Sequence, residues 1–554
     1  MPTIFAGRTR PSRWAHLSLG TFLFLFWALP VGAQFTLRDS SRADVGSNFT
    51  VTTFATGLNW PLGMVALDDG SILVTIVEGT SFFSSTAGHL VRLADTDSNG
   101  VADTRDTLAA NIPAGKLSAL VRGGNLLFVT GQGSGHPILV YRLGTNATDA
   151  LTLQGTITIT YPSGSWYHPH SGLGIRATPN VSNSYDLLIS AGSDSNATES
   201  TRTLTVSSDI GLSGTMEDES VYLAKIVDNG TSVSGSTLFQ AAEGLRNATG
   251  FDFHPITGDL YFQDNGIDGL VDANEPHSAD ELNVIPVDSV GTVTMDFGFA
   301  GSYTAYRVDT LVSGTGTQPL VAFQPLQPDT TVQLEGPQDV KFAPAGFPDD
   351  FNYGVFVGMH GKFSAGGASN EENPLVYVDL RDTTYFPFVD QTETGVGHLD
   401  GLLATDDELF VADISPDGGF GAGDTDEGVI YRIVSAVTTL PAPRFLASDA
   451  IITGGVSPAL DWDDVPGAST YTLNYADNSS FSSVITVTGL TSSQYTFAGP
   501  IDDGTWYWRV YAVNGTTSAA SPSASFLVIP LFGVWGLALL VTLMSTVLWR
   551  HRLV

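Results

Sequence analysis

The chain of 554 residues contains no cysteine, so disulfide bonds cannot stabilise it. Basic residues are also scarce: 23 Lys and Arg stand against 57 Asp and Glu, which gives a formal net charge of −34. This charge excludes nucleic acids and anionic membrane surfaces as expected partners, because they carry the same sign. It suits cations, including calcium. Apolar residues make up 42% and aromatic residues 10% of the chain, enough to fill the cores of two or three domains.

An apolar run lies near the N-terminus. Residues 1–33 carry three arginines, then LSLGTFLFLFWALPVG, then small residues that end at Ala33. This order is typical of a secretory signal peptide, and we expect cleavage after Ala33. The rest of the chain is then exported. The absence of cysteine from an exported protein favours a bacterial origin.

A second apolar run lies near the C-terminus. Residues 528–549 approach the ~20 residues that a transmembrane helix needs, and the basic residues 550–554 are expected on its cytoplasmic side. The segment IPLFGVWGLALL resembles the IPTL-type C-terminal sorting signals of Gram-negative bacteria. That resemblance implies processing by an exosortase-type protease and a periplasmic, cell-surface or secreted location. A permanent transmembrane anchor is the alternative.

One pattern recurs six times between residues 57 and 434. Each unit has a glycine-rich entry, an alternating apolar strand, a turn with Asp, Gly or Asn, and further alternating strands. Such regular alternation predicts short antiparallel strands, and four-stranded units repeated in a ring are β-propeller blades. We therefore predict an all-β fold with a six-bladed β-propeller over residues 34–436. Residues 48–58, NFTVTTFATGL, are expected to supply the outer strand of the last blade.

The pattern changes after Val434. The segments PALDWDDVPGASTYTLNYADNSSFSSV and GTWYWRVYAVNGTTSAASPSASF resemble a fibronectin type III β-sandwich, spanning residues 441–527. Trp462 and Trp508 are predicted to be core residues of this sandwich and not ligand platforms. The resemblance implies a spacer or adhesion module between the propeller and the membrane.

The fourth repeat carries the most specific motif. Its segment GLRNATGFDFHPITGDLYFQDNG spans Gly244 to Gly266, and SADELNVI follows at residues 278–285. Arg-Asn before the strand, Asp-Asn-Gly after it and the later Asp-Glu-Leu-Asn resemble the glucose/sorbosone dehydrogenase family. The members of that family are soluble quinoproteins with six-bladed propellers that use pyrroloquinoline quinone (PQQ) and calcium. The third-repeat segment WYHPHSGLGI is similar to the family's segment with the catalytic histidine.

The resemblance implies a role for each of these residues. His170 would be the base that takes a hydroxyl proton while hydride leaves the carbon of a sugar hemiacetal, since imidazole has a pKa near ~6.5. Calcium takes oxygen ligands and would act as a Lewis acid. The cofactor's carboxylates would be bound by Arg246, Asn247 and Lys362. Residues that would bind calcium, or hold the loop beside it, are Gly266, Ile267, Asp280 and Glu281.

A second candidate metal site is DTDSNGVAD in the first repeat. Oxygen-bearing side chains at Asp95, Asp97, Asn99 and Asp103, with Gly100 at the turn, have the spacing of the first nine positions of a calcium loop. A hairpin turn rich in Asp and Asn is the alternative.

The leading prediction is an exported, PQQ-dependent sugar dehydrogenase that passes electrons to an external acceptor. One segment departs from the family: residues 395–405, GVGHLDGLLAT, contain no arginine where the family offers arginines to the cofactor. The carboxylates of the cofactor would be less neutralised here. The alternatives are a non-catalytic surface propeller that binds carbohydrate or calcium and a calcium-dependent lactonase, which the fold alone does not separate.

Overall fold

The computed structural model describes residue 42 and residues 44–529, except 134, 165, 201, 269–270, 273–274, 277, 306–309, 313, 324–335, 362–374, 390–395, 438, 445–449 and 454–455. Strands dominate this part of the chain, and its single helix is α1 (Val45–Asn48), so the prediction of an all-β fold is confirmed. Within the described residues no helix is long and apolar enough to span a membrane. The predicted signal peptide and nearly all of the C-terminal apolar segment lie outside the described residues.

Six sheets follow one another along the chain. Two strands that lie in sequence between strands of the third sheet pair with the second sheet and extend it. The strands that precede and form the first three sheets are β1 (Phe49–Leu58), β2 (Met64–Ala66), β3 (Ile72–Val77), β4 (Gly88–Ala94), β5 (Thr104–Ile112), β6 (Leu117–Gly123), β7 (Leu126–Gly131), β8 (Ile138–Arg142), β9 (Thr152–Thr160), β10 (Leu173–Ala177), β11 (Ser184–Ala191), β12 (Thr203–Ser208), β13 (Gly214–Glu217), β14 (Ser220–Asp228) and β15 (Val233–Glu243).

The other three sheets are smaller, and the fourth is interrupted by two short hairpins. Their strands, with the hairpins and one strand that joins the third sheet, are β16 (Phe251–Phe253), β17 (Leu260–Asp264), β18 (Val271–Asp272), β19 (Glu275–Pro276), β20 (Asp280–Ile285), β21 (Met295–Asp296), β22 (Tyr303–Ala305), β23 (Thr310–Val312), β24 (Val321–Phe323), β25 (Pro337–Phe342), β26 (Gly354–Met359), β27 (Leu375–Asp379), β28 (Thr384–Pro387), β29 (Gly401–Ala404), β30 (Glu408–Asp413) and β31 (Gly428–Ser435).

The first strands of the six sheets form a closed ring. β2 contacts β6, β6 contacts β10, β10 contacts β16, β16 contacts β25, β25 contacts β29, and β29 contacts β2. This is the arrangement of a six-bladed β-propeller, and each sheet is called a blade below. The sixth blade takes its outer strand from the start of the chain, because β1 pairs antiparallel with β31 from Phe49 opposite Ser435 to Leu58 opposite Gly428.

Burial along the strands follows their place in a blade. The second strand of the first blade, ILVTIV, is almost wholly buried because neighbouring blades cover both of its faces. The outer strand β5, TRDTLAANI, buries only two of its nine residues. Between the fifth and sixth blades, Phe49 of β1 packs edge-on against Phe347, Phe351 and Phe388 at centroid distances of 4.8 to 5.2 Å. These contacts anchor the closing strand.

A small sandwich follows the propeller. Its sheets have the strand orders β32-β39-β37-β34-β35, with β38 paired to β37, and β33-β36. Trp462 and Trp508 are 3% and 7% exposed and belong to its core, which confirms that part of the prediction. The strands are β32 (Ala450–Thr453), β33 (Ala459–Asp461), β34 (Thr470–Ala476), β35 (Ile485–Leu490), β36 (Gln494–Thr496), β37 (Gly504–Asn514), β38 (Thr516–Thr517) and β39 (Ala524–Ile529).

Arg444 joins the sandwich to the propeller. Its Nη1 donates to Ala343 O at 2.5 Å and to Asn352 O at 2.8 Å, and its guanidinium pairs with Asp463 at 2.6 Å. Ala343 directly follows β25, so the sandwich contacts the end of the ring at which the inner strands finish. The opposite end, where the inner strands begin, carries the polar residues of the candidate site.

Candidate functional site

A cavity of about 910 Å³ occupies the axis of the ring. Residues of all six inner strands and of the loops around them line this cavity. Its volume lies in the upper part of the range of about 300–1,000 Å³ that is usual for ligand pockets. The wall combines apolar side chains with convergent polar and charged groups, which is typical of a binding site.

The carboxylate of Asp264 shapes the entry to the fourth blade. Asp264 ends β17, and its two oxygens accept the backbone N–H groups of Arg246 at 3.0 Å and Asn247 at 2.6 Å. Asn247 Nδ2 donates to Asn265 Oδ1 at 2.7 Å, and Asn265 Nδ2 donates to Pro337 O at 3.2 Å. The Arg-Asn and Asp-Asn-Gly motifs are therefore one hydrogen-bonded unit. It brings both side chains of the Arg-Asn motif to the cavity wall.

The guanidinium of Arg246 is fixed by its neighbours. Arg246 is 2% exposed, and its Nε donates to Asn196 O at 3.0 Å. Its Nη2 donates to Asn196 Oδ1 and to Asp268 Oδ2, each at 2.7 Å. Nη1 has no hydrogen-bond partner among the described residues, and Arg246 lines the cavity. Nη1 can therefore donate to an oxygen atom of a ligand.

The turn after β17 presents backbone carbonyl groups. Gly266 N donates to Asp280 Oδ1 and Ile267 N to Ser278 Oγ, both at 2.9 Å. The other oxygen of Asp280 accepts Gly336 N at 3.0 Å, so this carboxylate holds the turn in place. The carbonyl oxygens of Gly266 and Ile267 accept no hydrogen bond from a described residue. Calcium takes such oxygens as ligands.

Two buried carboxyl groups lie behind this turn. Burial raises the pKa of Asp280 to about 6. Burial and the negative charge of Asp264 together raise the pKa of Glu281 to about 7. A cation beside these groups would lower both values, because it favours the charged form. This setting suits calcium, and the predicted role of both residues at the metal stays a prediction.

The structure does not place His170, the predicted base, in the wall of the cavity. His170 is 1% exposed and lies behind the cavity wall. Its Nε2 donates to His136 O at 2.8 Å, so its Nδ1 accepts the Tyr161 hydroxyl at 2.8 Å. The same Tyr161 oxygen accepts the backbone N–H of His170 at 2.6 Å. Both ring nitrogens are engaged, and neither can take a proton from a substrate.

His168 lies in the cavity wall instead. Its Nδ1 is 3.1 Å from Ser193 Oγ, and that hydroxyl donates to Ser195 O at 2.6 Å. Because the only proton of Ser193 Oγ is used in this way, Nδ1 of His168 carries the proton and Nε2 carries the lone pair. Among the described residues Nε2 has no hydrogen-bond partner. His168 is therefore a neutral imidazole whose basic nitrogen is unoccupied.

His168 and Arg246 are held close together. His168 N donates to Ser193 O at 2.8 Å, and Ser193 N donates to Arg246 O at 2.9 Å. A Cβ atom on Gly192 would lie 2.8 Å from both Arg246 O and His168 Cβ, so glycine is required there. Burial and the positive charge of Arg246 lower the pKa of His168 to about 2. The imidazole therefore stays neutral at physiological pH.

The sixth blade repeats the geometry of the fourth with different side chains. Asp413 ends β30, and its oxygens accept the backbone N–H groups of Gly397 at 2.9 Å and His398 at 3.0 Å. Gly397 and His398 thus take the positions of the Arg-Asn pair. Asp400 follows, and its carboxylate lies 2.8 Å from His360 Nδ1 in the cavity wall. The segment that carries Gly397 and His398 contains no arginine. Among the described residues, the sixth blade therefore places no cation at the cavity.

The charges of the wall decide how well a carboxylate-bearing quinone fits. Arg246 Nη1, Asn247 and the free carbonyls of the turn suit such a cofactor together with calcium. Against this, every described cation in the wall already pairs with an aspartate. The described residues that line the cavity include three cations, Arg122, Arg246 and Lys341, and five carboxylates, Asp252, Asp268, Asp280, Asp339 and Asp400. The fourth blade thus fits the cofactor, and bound calcium would offset the excess of negative charge.

The buried carboxyl groups of Asp264 and Asp413 should make the stability of the fold depend on pH. Burial raises the pKa of each carboxyl group to about 7, above about 3.9 for unfolded Asp. The folded protein therefore retains protons that the unfolded chain has released. The resulting stabilisation is complete below about pH 4 and is lost as pH rises through about 7. Without calcium, the thermal unfolding midpoint should be higher at about pH 5 than at about pH 8.

Salt provides the control for this pH experiment. General repulsion among the many acidic groups also falls at low pH, but about 0.5 M NaCl screens it, whereas buried groups are screened much less. The difference in midpoint should therefore persist in salt. Buried histidines with lowered pKa values, such as His170 and His254, act in the opposite direction, because the unfolded chain binds those protons first as pH falls. A midpoint that is equal at both pH values in salt, or higher at about pH 8, would contradict the prediction that the buried carboxyl groups outweigh these histidines.

The other predicted metal site lies apart from this cavity. Asp95, Asp97 and Asp103 have one ligand atom each within 4.8 Å of one another, while backbone N–H groups of Asn99 and Gly100 donate to Asp95. None of them lines the cavity, and calcium binding there stays a prediction. Lys362 lies outside the described residues.

Sequence reasoning missed His168, Ser193 and Asn196. His168 was visible beside His170, but its partner Ser193 follows 25 positions later. Asn196 lies 50 positions before Arg246, and no local pattern links the two. Only the contact between the third and fourth blades brings these residues together.

Comparison with known proteins gives limited information. No family model matches the chain. A segment of 44 residues is 59% identical to an uncharacterized protein of Borreliella burgdorferi, and it spans only 8% of this chain and 11% of that relative. A calcium structure of a family AA12 carbohydrate-active enzyme of Trichoderma reesei is 15% identical, with a TM-score of 0.48 over 74% of this chain and 100% of that chain.

A further similar structure is the holo form of the pyranose dehydrogenase PQQ domain of Coprinopsis cinerea. It is 14% identical, with a TM-score of 0.45 over 73% of this chain and 98% of that chain. The function of the present chain therefore has to be inferred from the geometry of its own cavity.

Proposed function

We propose that the chain is a PQQ- and calcium-dependent sugar dehydrogenase that oxidises a sugar hemiacetal to a lactone. One observation carries this proposal: the third and fourth blades together present a neutral imidazole with a free lone pair on His168 Nε2, a free guanidinium nitrogen on Arg246 and unpaired carbonyl oxygens. His168, Arg246 and Gly266 line one cavity, so a base, an anchor for an anion and a carbonyl ligand for calcium meet there; Ile267 follows Gly266 in the same turn and is not part of that lining.

Each group has a chemical role in this proposal. Arg246 Nη1 and Asn247 would bind carboxylates of the cofactor, and the carbonyl oxygens of Gly266 and Ile267 would hold calcium. When bound, the quinone supplies a two-electron acceptor whose carbonyl calcium polarises. Asp280 keeps the calcium turn in place through its two backbone hydrogen bonds.

His168 would perform the proton transfer. Its Nε2 takes the proton of the anomeric hydroxyl while the anomeric carbon gives up its hydrogen with two electrons, and the C–O single bond becomes the lactone carbonyl. Ser193 Oγ accepts Nδ1–H, which fixes the ring and stabilises the positive charge that develops on it. Bound carboxylates would relieve the part of this pKa depression that the charge of Arg246 causes, while burial, its larger cause, remains.

The setting of the enzyme belongs to the same proposal. Export, surface sorting or secretion after cleavage at the C-terminus, and an external electron acceptor follow from the terminal segments and from the need to reoxidise the cofactor. The sandwich would act as a spacer, because it contacts the end of the ring away from the Arg-Asn motif. The mouth of the cavity then stays open to substrate.

Dye reduction tests the proposed function. Purified protein is supplied with calcium and PQQ, and a panel of neutral aldoses is assayed, with each component omitted in turn. We expect sugar-dependent reduction that requires both additions. Calorimetric binding of sugar without any binding of PQQ would instead support the carbohydrate-binding propeller, the alternative that the sixth blade favours because none of its described residues brings a cation to the cavity wall.

Asn196 provides a test of how Arg246 is positioned. Replacing Asn196 by alanine removes one hydrogen bond to Arg246, from Nη2 to Oδ1, and two to the backbone of Asp268. The hydrogen bond from Arg246 Nε to the backbone oxygen of Asn196 survives. The guanidinium therefore stays at the cavity wall, but its orientation is less well fixed. We expect the Kd of PQQ, measured by absorbance titration, to rise about tenfold, as the loss of a charged hydrogen bond implies.

The matched control is Asn196→Asp. This variant keeps the acceptor Oδ1 for Arg246 and for Asp268 N, loses the donor to Asp268 O and adds one negative charge, which pairs with Arg246. It should hold the guanidinium in place and retain more of the affinity for PQQ than Asn196→Ala does. Unchanged affinity in Asn196→Ala would show that Asn196 does not position the guanidinium.

A further inference from the structure

The cavity has a second wall, opposite the polar one. Phe82 and Phe83 lie in the loop between β3 and β4 of the first blade, and Phe420 lies in the loop between β30 and β31 of the sixth. All three line the cavity. In a ring of six blades, the first and sixth lie across the axis from the fourth and third. These three residues, called the aromatic wall below, therefore face His168 and Arg246.

The aromatic wall is built as a rigid unit. The ring centroids of Phe82, Phe83 and Phe420 are 5.3 to 5.5 Å apart, and Phe82 N donates to Phe420 O at 3.1 Å. Behind them Trp60 is fully buried, packs on Phe82 and donates from Nε1 to Gly419 O at 3.3 Å. The wall is thus preorganised by contacts between the first and sixth blades.

The wall leaves apolar surface in contact with solvent. Phe83 is 47% exposed, whereas Phe82 beside it is 7% exposed. An exposed phenylalanine at the edge of a cavity is unfavourable in water unless a ligand covers it. The ligand must also tolerate the polar side of the cavity, where His168 and Arg246 lie. A lipid chain does not meet this second condition.

We propose that Phe83 and Phe420 form a subsite for a second sugar ring, so that the preferred substrate is a neutral disaccharide or longer glycan oxidised at its reducing end; this rests on the proposed function. A pyranose ring meets both conditions, because its C–H face packs on an aromatic ring while its hydroxyl edge forms hydrogen bonds. The reducing-end ring lies at His168, and the next ring lies across the cavity on the aromatic wall. A cavity of about 910 Å³ has room for more than one ring.

The electrostatics select a neutral glycan. The described wall of the cavity holds more carboxylates than cations, and the whole chain has a net charge of −34. An acidic oligosaccharide would be repelled during its approach and inside the cavity. The aromatic wall itself supplies no cation that could compensate.

The test compares substrates of different length in Phe83→Ala. This change removes an exposed side chain, so the fold should tolerate it. We expect the KM for a neutral disaccharide to rise about tenfold, with an unchanged kcat and an unchanged KM for the corresponding monosaccharide. Phe83→Tyr should restore the KM. The control is Leu153→Ala, in which a side chain of similar exposure, 52%, is removed from β9 outside the cavity wall.

Two further measurements separate the possible failures. If Phe83→Ala changes the KM of monosaccharide and disaccharide equally, or raises the Kd of PQQ instead, the wall is not a subsite for a second ring. If the protein oxidises no sugar, the proposed function fails, and calorimetric titration with the disaccharide still tests the subsite. Weaker binding to Phe83→Ala than to the parent protein would support it, and equal binding would overturn it.

Discussion

Replacement of His168 by alanine is expected to lower kcat for sugar oxidation by about 10²- to 10⁴-fold, the usual contribution of a positioned general base. Nε2 of His168 is the basic nitrogen that the cavity offers to a substrate hydroxyl, and Ser193 fixes its orientation. The Kd of PQQ should change little, because Arg246 Nη1 and the carbonyl oxygens of the calcium turn remain. Steady-state kinetics and an absorbance titration on the same variant separate these two effects.

His170→Ala is the matched control for His168→Ala. His170 bonds through its ring to Tyr161 and to His136 O, so its loss should lower the free energy of unfolding by about 1–3 kcal/mol and leave kcat of the folded protein nearly unchanged. The reverse pattern, with activity lost in His170→Ala and kept in His168→Ala, would return the base to His170.

Replacement of Arg246 by alanine is expected to raise the Kd of PQQ by roughly ten- to a hundredfold, since a hydrogen bond to a charged group contributes about 1.5–3 kcal/mol. The variant removes the donor Nη1 and also leaves Asp268 and Asn196 Oδ1 without their partner. The added negative charge near the cavity weakens the binding of a carboxylate further. An absorbance titration in saturating calcium measures the effect.

Arg202→Ala is the control for this prediction. Arg202 also pairs with an aspartate, Asp194 at 3.0 Å, on the same loop of the third blade, but it is not part of the cavity wall. Its loss should lower stability without changing the Kd of PQQ. Equal losses of affinity in both variants would mean that Arg246 acts through the fold and not through the ligand.

The blades could be predicted from sequence because their signals are local. Apolar and polar residues alternate within strands, and turns rich in Gly, Asp and Asn recur in every repeat. The ring of blades can be predicted from these repeats alone. Arg246 and Asn247 were also predictable, since Asp264 fixes both through a hairpin of neighbouring strands.

The base could not be chosen from sequence. His168 and His170 lie two positions apart in an irregular, bent segment before β10, where no strand periodicity tells which side chain reaches the cavity. What separates them is tertiary: Tyr161 and the carbonyl of His136 take both nitrogens of His170 and leave Nε2 of His168. The aromatic wall was hidden for a similar reason, because closure of the ring brings Phe82 to Phe420.

The central claim is that this cavity couples a sugar hemiacetal to a bound quinone through His168. The most direct measurement is a single turnover: protein loaded with calcium and one equivalent of PQQ is mixed anaerobically with sugar, without an external acceptor, and the lactone or its acid is quantified. The account predicts one equivalent of product per protein in the parent and in His170→Ala, and far slower formation in His168→Ala. No product from the loaded parent protein, or equal rates in parent and His168→Ala, would contradict it.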